Sequence, residues 1–487
     1  MRDHSLARAA VRACAALSIV SAGCAAHGPY TAPPTVPMPA AYKEISGDPT
    51  VLQPAQPSDS APRADWWSVF ADAQLNTLES QLLAGNPSLA QGEARFRQAR
   101  ALTAHDRAAY LPTVTAGTSI QTGHAATGGG SGPGGGSVSA TQFDASAGVS
   151  WEPDFWGRVR QTVAADVASS QAAAGDLENA RLSLAANLAV DYFQLRSLDR
   201  ELALLDATID ANQRSHDLTV NQYNAGLVAR GDVAQAETLL EEARAQLFDS
   251  QLARAQTEHA IAVLVGVPPA ALTLAAMPLE GEPPSVPPEL PSRLLERRPD
   301  IAAAERRAAA ANAEIGVASA AFFPSLALTA SAGLRATSLA DWLSWPSRFW
   351  TLGPALAFTI FDGGARRAAK ANAYAVYDEQ AGSYRQIVLN ALEDVEDNLA
   401  AERLLALEAD RERQAVAAAQ TALDVFLNQY RAGLVSYLPV ATAQSSLLSN
   451  QRALVSLEAR RFEAAVELMK ALGGGWDLHR DGLAGTK

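Results

Sequence analysis

Two periodicities alternate along the chain. From Phe143 to Trp151 the pattern has period two, with Phe143, Ala145, Ala147, Val149 and Trp151 on one side and Asp144, Ser146, Gly148 and Ser150 on the other. Leu326, Leu328, Ala330, Ala332 and Leu334 alternate in the same way with Ala327, Thr329, Ser331, Gly333 and Arg335. Val114 to Ile120 and Pro354 to Ile360 behave similarly. Period two places successive side chains on opposite faces, so these four segments are predicted strands. Elsewhere apolar residues recur at threes and fours, as in Leu195, Leu198, Leu202, Leu205 and Ile209, and again in Val388, Leu392, Val395 and Leu399. Leu447, Leu454 and Leu468 fall on seven-residue steps, with Arg461 as the exception. This is coiled-coil spacing. No proline interrupts Gly157 to Gln222. At ~1.5 Å per residue a helix of roughly 65 residues reaches on the order of 100 Å.

The pattern occurs twice. Gln222-Tyr223-Asn224-Ala225-Gly226-Leu227-Val228 matches Gln429-Tyr430-Arg431-Ala432-Gly433-Leu434-Val435. Asn86-Pro87 through Tyr110-Leu111-Pro112 matches Arg298-Pro299 through Phe322-Phe323-Pro324. Asp154-Phe155-Trp156-Gly157-Arg158 matches Asp362-Gly363-Gly364-Ala365-Arg366 at nearly the same offset. Three anchors in one order indicate an internal duplication. Each half then comprises a helix, two strands, a long helix, a tip turn and a helix. Expected boundaries are a signal peptide at 1–23, a proline-rich linker at 24–64, a first repeat at 65–269, an inter-repeat linker at 270–291, a second repeat at 292–476 and a tail at 477–487.

The strand segments approach the ~9–11 residues that a tilted membrane strand needs. A soluble hairpin packed on helices would alternate in the same way. In lipid, however, four strands leave two edges whose backbone groups lack partners. Closure then requires several chains, and three would give twelve strands.

The N-terminus bears on location. Arg2, Arg8 and Arg12 precede an apolar stretch from Ala13 to Val20, and Ser21-Ala22-Gly23-Cys24 follows, which is the layout of a bacterial export signal. Small residues before Cys24 resemble a lipobox, with Ser21 where leucine is usual, so Cys24 is the expected lipidation site. The other reading is ordinary cleavage with Cys24 incidental. Cys14 lies inside the signal, so the mature chain holds no cysteine pair for a disulfide or a thiolate zinc site.

Composition narrows the function classes. The 487 residues are 48% hydrophobic and only 6% aromatic, which favours long, tightly packed helices. A net charge of −13 disfavours nucleic acid as a partner. The glycine-rich run Gly128 to Gly136 lacks the Lys-Ser/Thr of a phosphate loop. Trp342, Trp345 and Trp350 could seat rings at a membrane interface. His105, His124, His216 and His259 are scattered, and neither a His-Glu-x-x-His nor a Gly-x-Ser-x-Gly motif occurs. No enzyme activity, cofactor or metal site is expected.

Asp65-Trp66-Trp67-Ser68-Val69-Phe70-Ala71-Asp72, Arg297-Arg298-Pro299-Asp300-Ile301 and Tyr430-Arg431-Ala432-Gly433-Leu434-Val435-Ser436-Tyr437 resemble signatures of the TolC-like outer-membrane factor family, NodT type. The resemblance runs from about Asp65 to Trp476. It implies a membrane α+β fold, a homotrimeric channel-tunnel. In such a trimer a twelve-stranded outer-membrane β-barrel, four strands per chain, stands on a coiled-coil α-helical periplasmic barrel. The implied function is a passive duct in a tripartite efflux system, with a periplasmic adaptor and an inner-membrane pump of the RND class, exporting drugs or other toxic small molecules. The lipid-anchored chain would sit in the outer membrane. Gly226, Leu227 and Val228, with Gly433, Leu434 and Val435, are the implied adaptor-docking tips. Asp232 and Tyr430 match a hydrogen-bonded pair that gates the periplasmic mouth. A latch arginine of some members is Val435 here, and paired constriction aspartates fall on Pro439 and Thr442. A lipid-anchored periplasmic coiled-coil protein without a pore, or a duct for protein secretion or metal efflux, are the other readings.

Overall fold

A computed structural model of the chain describes residues 30–33, 36–39, 42–44, 65–126, 137–284 and 297–474. After a 3-10 turn at Trp66–Phe70 come α1 (Ala73–Gly85), α2 (Pro87–Arg107), β1 (Thr113–Ala126), β2 (Ser137–Trp151), α3 (Arg158–Asn224) and α4 (Arg230–Leu264). The second half contributes α5 (Pro299–Ala320), β3 (Ser325–Ala336), β4 (Arg348–Ala357), α6 (Ala365–Arg431) and α7 (Tyr437–Ala471). From α2 and from α5 onward the two halves follow the same order, a helix, two strands, a long helix and a shorter one, and α1 precedes that order in the first half. α3 and α6 are both 67 residues long, and α4 and α7 both 35. Cys24, the glycine-rich run and the tail at 477–487 lie outside the described residues.

The chain divides into two compact units, one built on Arg95–Ala173 and Ala304–Tyr384, the other on Thr35–Ala94, Ala174–Ala303 and Arg385–Lys487. Both repeats contribute to each. The first unit holds a four-stranded antiparallel sheet in the order β1-β2-β3-β4. Each repeat supplies a hairpin, and β2 pairs with β3 to join the copies. β4 begins at Arg348, upstream of the expected Pro354, and stops at Ala357. Pro354 lies inside β4, opposite Leu328 of β3. Two aspartates open the helices that leave the sheet. Asp154 accepts from the backbone N–H of Val159 and Arg160, and Asp362 from Gly364 and Arg366. A carboxylate there satisfies free N–H groups and complements the helix dipole.

The second unit closes both repeats by one device. Asn86 caps α2 through its Oδ1, and its Nδ2 donates to the carbonyl of Leu264 at 2.7 Å. Arg298, preceding Pro299, donates to the carbonyl of Ala471 at 3.3 Å. Each repeat thus ties its opening helix to the last residue of its closing helix. Gly266 and Gly473 end those closing helices with φ of +80° and +91°. A Cβ on Gly266 would stand 2.2 Å from the Gly85 carbonyl oxygen, so the crossing there requires glycine.

The core of this unit gathers Trp66, Trp67, Leu75, Leu78 and Leu82 against Leu182, Leu188, Tyr192 and Leu195 of α3 and Phe462, Val466 and Leu468 of α7. The coiled-coil positions Leu195, Leu205, Val388, Val395 and Leu468 are buried as their spacing predicts. The described parts of the two expected linkers do more than span a gap. Tyr42 is buried, and the backbone N–H groups of Lys43 and Glu44 both donate to Glu396. In the inter-repeat segment Leu274 and Leu279 are buried, and Asp199, Arg196 and Arg254 bind its backbone. Extended backbone off a sheet has no ladder partners, so side chains satisfy it instead.

Candidate functional site

The sheet sorts its side chains by register. Val114 opposes Val149, Val149 opposes Ala330 and Ala330 opposes Leu352. Ile120, Phe143, Ala147, Leu328, Leu334 and Trp350 belong to the same face. Thr115, Ser119, Asp144, Ser146, Thr329, Ser331 and Thr351 belong to the other. On that polar face Arg335 Nε donates to Asp144 at 2.6 Å, and Arg335 lies 4.4 Å from the centroid of the Phe349 ring. Ser331 and Thr351 hydroxyls share a 2.7 Å hydrogen bond. One face is mainly apolar from Val114 to Ile120 and across to Trp350 and Leu352, with Thr122, His124 and Arg348 toward one end, and the other is mainly polar, which suits a wall between lipid and water. Trp345 and Trp350 are exposed, whereas Trp342 turns its indole Nε1 inward and packs 5.7 Å from Phe143. No described helix is long and apolar enough to cross a membrane.

The two tips share one backbone. Gly226 and Gly433 have φ of +74° and +73°. In each turn the glycine N–H bonds to the tyrosine carbonyl three residues back, and the next leucine N–H bonds five back. Leu227 and Leu434 project into solvent at 74% and 75% exposure. Val228 and Val435, expected with them on the docking surface, instead pack half-buried against the cluster of Ala236, Tyr430, Tyr437, Val440 and Ala441.

Tyr430 and Asp232 do not pair within the chain. The Tyr430 hydroxyl donates to Thr219 Oγ1 at 3.2 Å, and its ring meets Tyr437 edge-on at 5.3 Å. Asp232 is the third residue of α4, and its Oδ2 accepts from the Ala229 N–H at 3.3 Å. The carboxylate therefore folds back on its own helix start, where free N–H groups attract it. Burial pushes the Tyr430 phenol up, and the nearby Asp232 charge adds to that. Burial likewise pushes Tyr437 up to about 12. Neither phenol ionises near neutral pH.

Sequence reasoning missed Tyr437, whose hydroxyl donates to Gln444, and Thr219, which receives Tyr430. It also missed the buried Arg196–Asp199–Arg254 group. The available signal was a charged residue between Leu195 and Leu198 on an apolar stripe. No group of three or more His, Cys, Asp or Glu arranged for a metal ion occurs among the described residues.

Comparisons with known proteins agree with this geometry. A family model described as outer membrane efflux protein matches residues 78–267 and 290–474. The pyoverdine export outer membrane protein OpmQ of Pseudomonas aeruginosa is 33% identical over 435 residues, which cover 88% of this chain and 90% of that protein. The toluene efflux pump outer membrane protein TtgF of Pseudomonas putida is 31% identical over 470 residues, 95% of this chain and 96% of its own length. Among solved structures, the outer-membrane channel OprN superposes with a TM-score of 0.83 at 31% identity, covering 93% of this chain and 100% of that one. With both repeats matched by the family model and relatives of this similarity along most of its length, the chain belongs to the outer membrane efflux protein family.

Proposed function

We propose that three copies of this chain close a twelve-stranded barrel in the outer membrane, forming a passive duct that a periplasmic adaptor connects to an inner-membrane pump of the RND class. The observation that carries this reading is the sheet, with one predominantly apolar face and with β1 and β4 as its edges. An edge exposed to lipid leaves N–H and C=O groups without partners at several kcal/mol each, so edge-to-edge closure between copies is strongly favoured. The relatives carry names for pyoverdine export and for toluene efflux, small molecules of unlike chemistry, which supports a duct for small toxic compounds with selection made elsewhere. Cys24 would carry the lipid anchor. The exposed Leu227 and Leu434 would contact the adaptor, because repeated apolar side chains at helix turns suit a helical partner. Tyr430 would hold the resting tip closed through Thr219, with Asp232 at the adjoining helix start.

The test is native mass spectrometry of the purified protein together with single-channel recording in planar bilayers. Three copies and discrete conductance are expected. A stable monomer, or a trimer that conducts nothing even after Tyr430→Phe or Asp232→Ala, would rule out the duct.

A further inference from the structure

Glu79 stands on α1 between Leu75 and Leu82, at the four- and three-residue steps that place all three on one helix face. That face is the buried one. Leu75, Leu78 and Leu82 enter the same apolar cluster as Trp66, Leu182, Ala185 and Val466. Glu79 has 0% exposure, and neither carboxyl oxygen meets a hydrogen-bond partner. The indole Nε1 of Trp66, also buried, has none either.

Several charged groups on the elements packed against this cluster have partners other than Glu79. On α3, Arg196 pairs with Asp199 and donates to Gln74, Tyr192 donates to Asp72, and Arg181 pairs with Glu178 and Glu93. On α7, Lys470 pairs with Glu467. Asp65, ahead of the 3-10 turn, acts on Glu79 with a like charge. An ionised carboxylate here would be cut off from bulk solvent and has no protein donor within hydrogen-bond reach. Burial without a partner favours the neutral form of an acid.

We propose that Glu79 is held as a neutral carboxylic acid in the folded chain, and that its ionisation releases the Trp66–Gly85 segment from the helical unit, making that segment a pH-sensitive latch. The direction follows from linkage. Burial first, then the Asp65 charge, pushes the Glu79 pKa up to about 9 from an ordinary 4.5. Once released, the side chain regains the ordinary value. Between the two values the docked segment binds one proton more than the released one, so release gains tenfold per pH unit. Below 4.5 the latch is fully closed, and above about 9 no further change occurs.

Hydrogen exchange of the full-length protein, read by mass spectrometry on peptides within Trp66–Gly85, tests this. After correction for intrinsic exchange chemistry, the opening constant should rise about a hundredfold from pH 6 to pH 8. Glu79→Gln, which cannot ionise, should show no rise. If glutamine prevents folding, Glu79→Met serves the same purpose, since it fills the site without a titratable group. An independent readout is infrared spectroscopy at neutral pH, where a carboxylic acid carbonyl band should be present in the wild type and missing in the variant. A flat wild-type profile, an equal rise in the variant, or no such band overturns the proposal.

Discussion

The two tips have nearly the same sequence and the same backbone, yet their tyrosines lead different lives. Tyr223 is 44% exposed, and Tyr430 is 2% exposed. The turn geometry cannot be the cause, because the glycine φ values differ by a single degree. The cause lies in the residues that follow. After the second turn comes Tyr437, which packs against Tyr430; at the matching place after the first comes Arg230, an exposed cation. Tyr430 also reaches Thr219 on α3, a helix of the other repeat. Duplication therefore copied the turn but not the environment. One tip seats its tyrosine on the other, and the relation is not returned.

This contrast can be broken by substitution. The largest effect is expected for Tyr430→Ala, which removes a buried ring from the cluster with Tyr437 and Ala236 and should destabilise the tip helices by about 3 kcal/mol. Tyr223→Ala should cost about 0.5 kcal/mol, as an exposed substitution does. Hydrogen exchange across the ends of α3 and α6 measures both. Equal losses would remove the asymmetry.

The next effect should be equal at the two tips. Gly226→Ala and Gly433→Ala each force a Cβ into left-handed backbone, at roughly 1 kcal/mol. A Cβ at either position meets nothing within 4 Å, so only the backbone term applies. Thermal unfolding of both variants checks this, and a large difference would mean that the shared turn is less alike than its angles.

Tyr430→Phe keeps the ring and loses the hydroxyl bond to Thr219, at about 1 kcal/mol. Thr219→Val should cost a similar amount, and the double variant should lose less than the sum. Full additivity in thermal unfolding would show that the two hydroxyls do not act on each other. The smallest effect is expected for Asp232→Ala, roughly 0.5 kcal/mol, because the carboxylate serves a half-exposed helix start. That loss should shrink further in high salt. A loss as large as that of Tyr430→Ala would mean that Asp232 binds more than its own helix.

Much of the architecture was legible in the chain. Phe143 to Trp151 and Leu326 to Leu334 alternate without interruption, and both are strands. β4 was located less well, because Arg348 to Gly353 does not alternate cleanly and Pro354 marks no boundary. Gly226 and Gly433 announced the tips, since a turn needing positive φ selects glycine locally. The bond from Tyr430 to Asp232, expected from family resemblance, was replaced by one to Thr219. A hydroxyl takes the acceptor that packing brings within reach, and Thr219 carries no motif.

Strand alternation, helix spacing, the duplication and the glycine turns are properties of a few neighbouring residues, and the sequence alone determines them. Three further features were decided by tertiary structure: the register that gathers most of the large apolar strand residues on one face, the burial of one tip tyrosine but not its copy, and the uncharged state proposed for Glu79. Each depends on what residues far along the chain bring to the same place, and on the solvent they exclude. A glutamate beside Leu78 looks like an ordinary surface acid until Trp66 and Leu182 are known to join the same core and shut out the water that would have kept it charged.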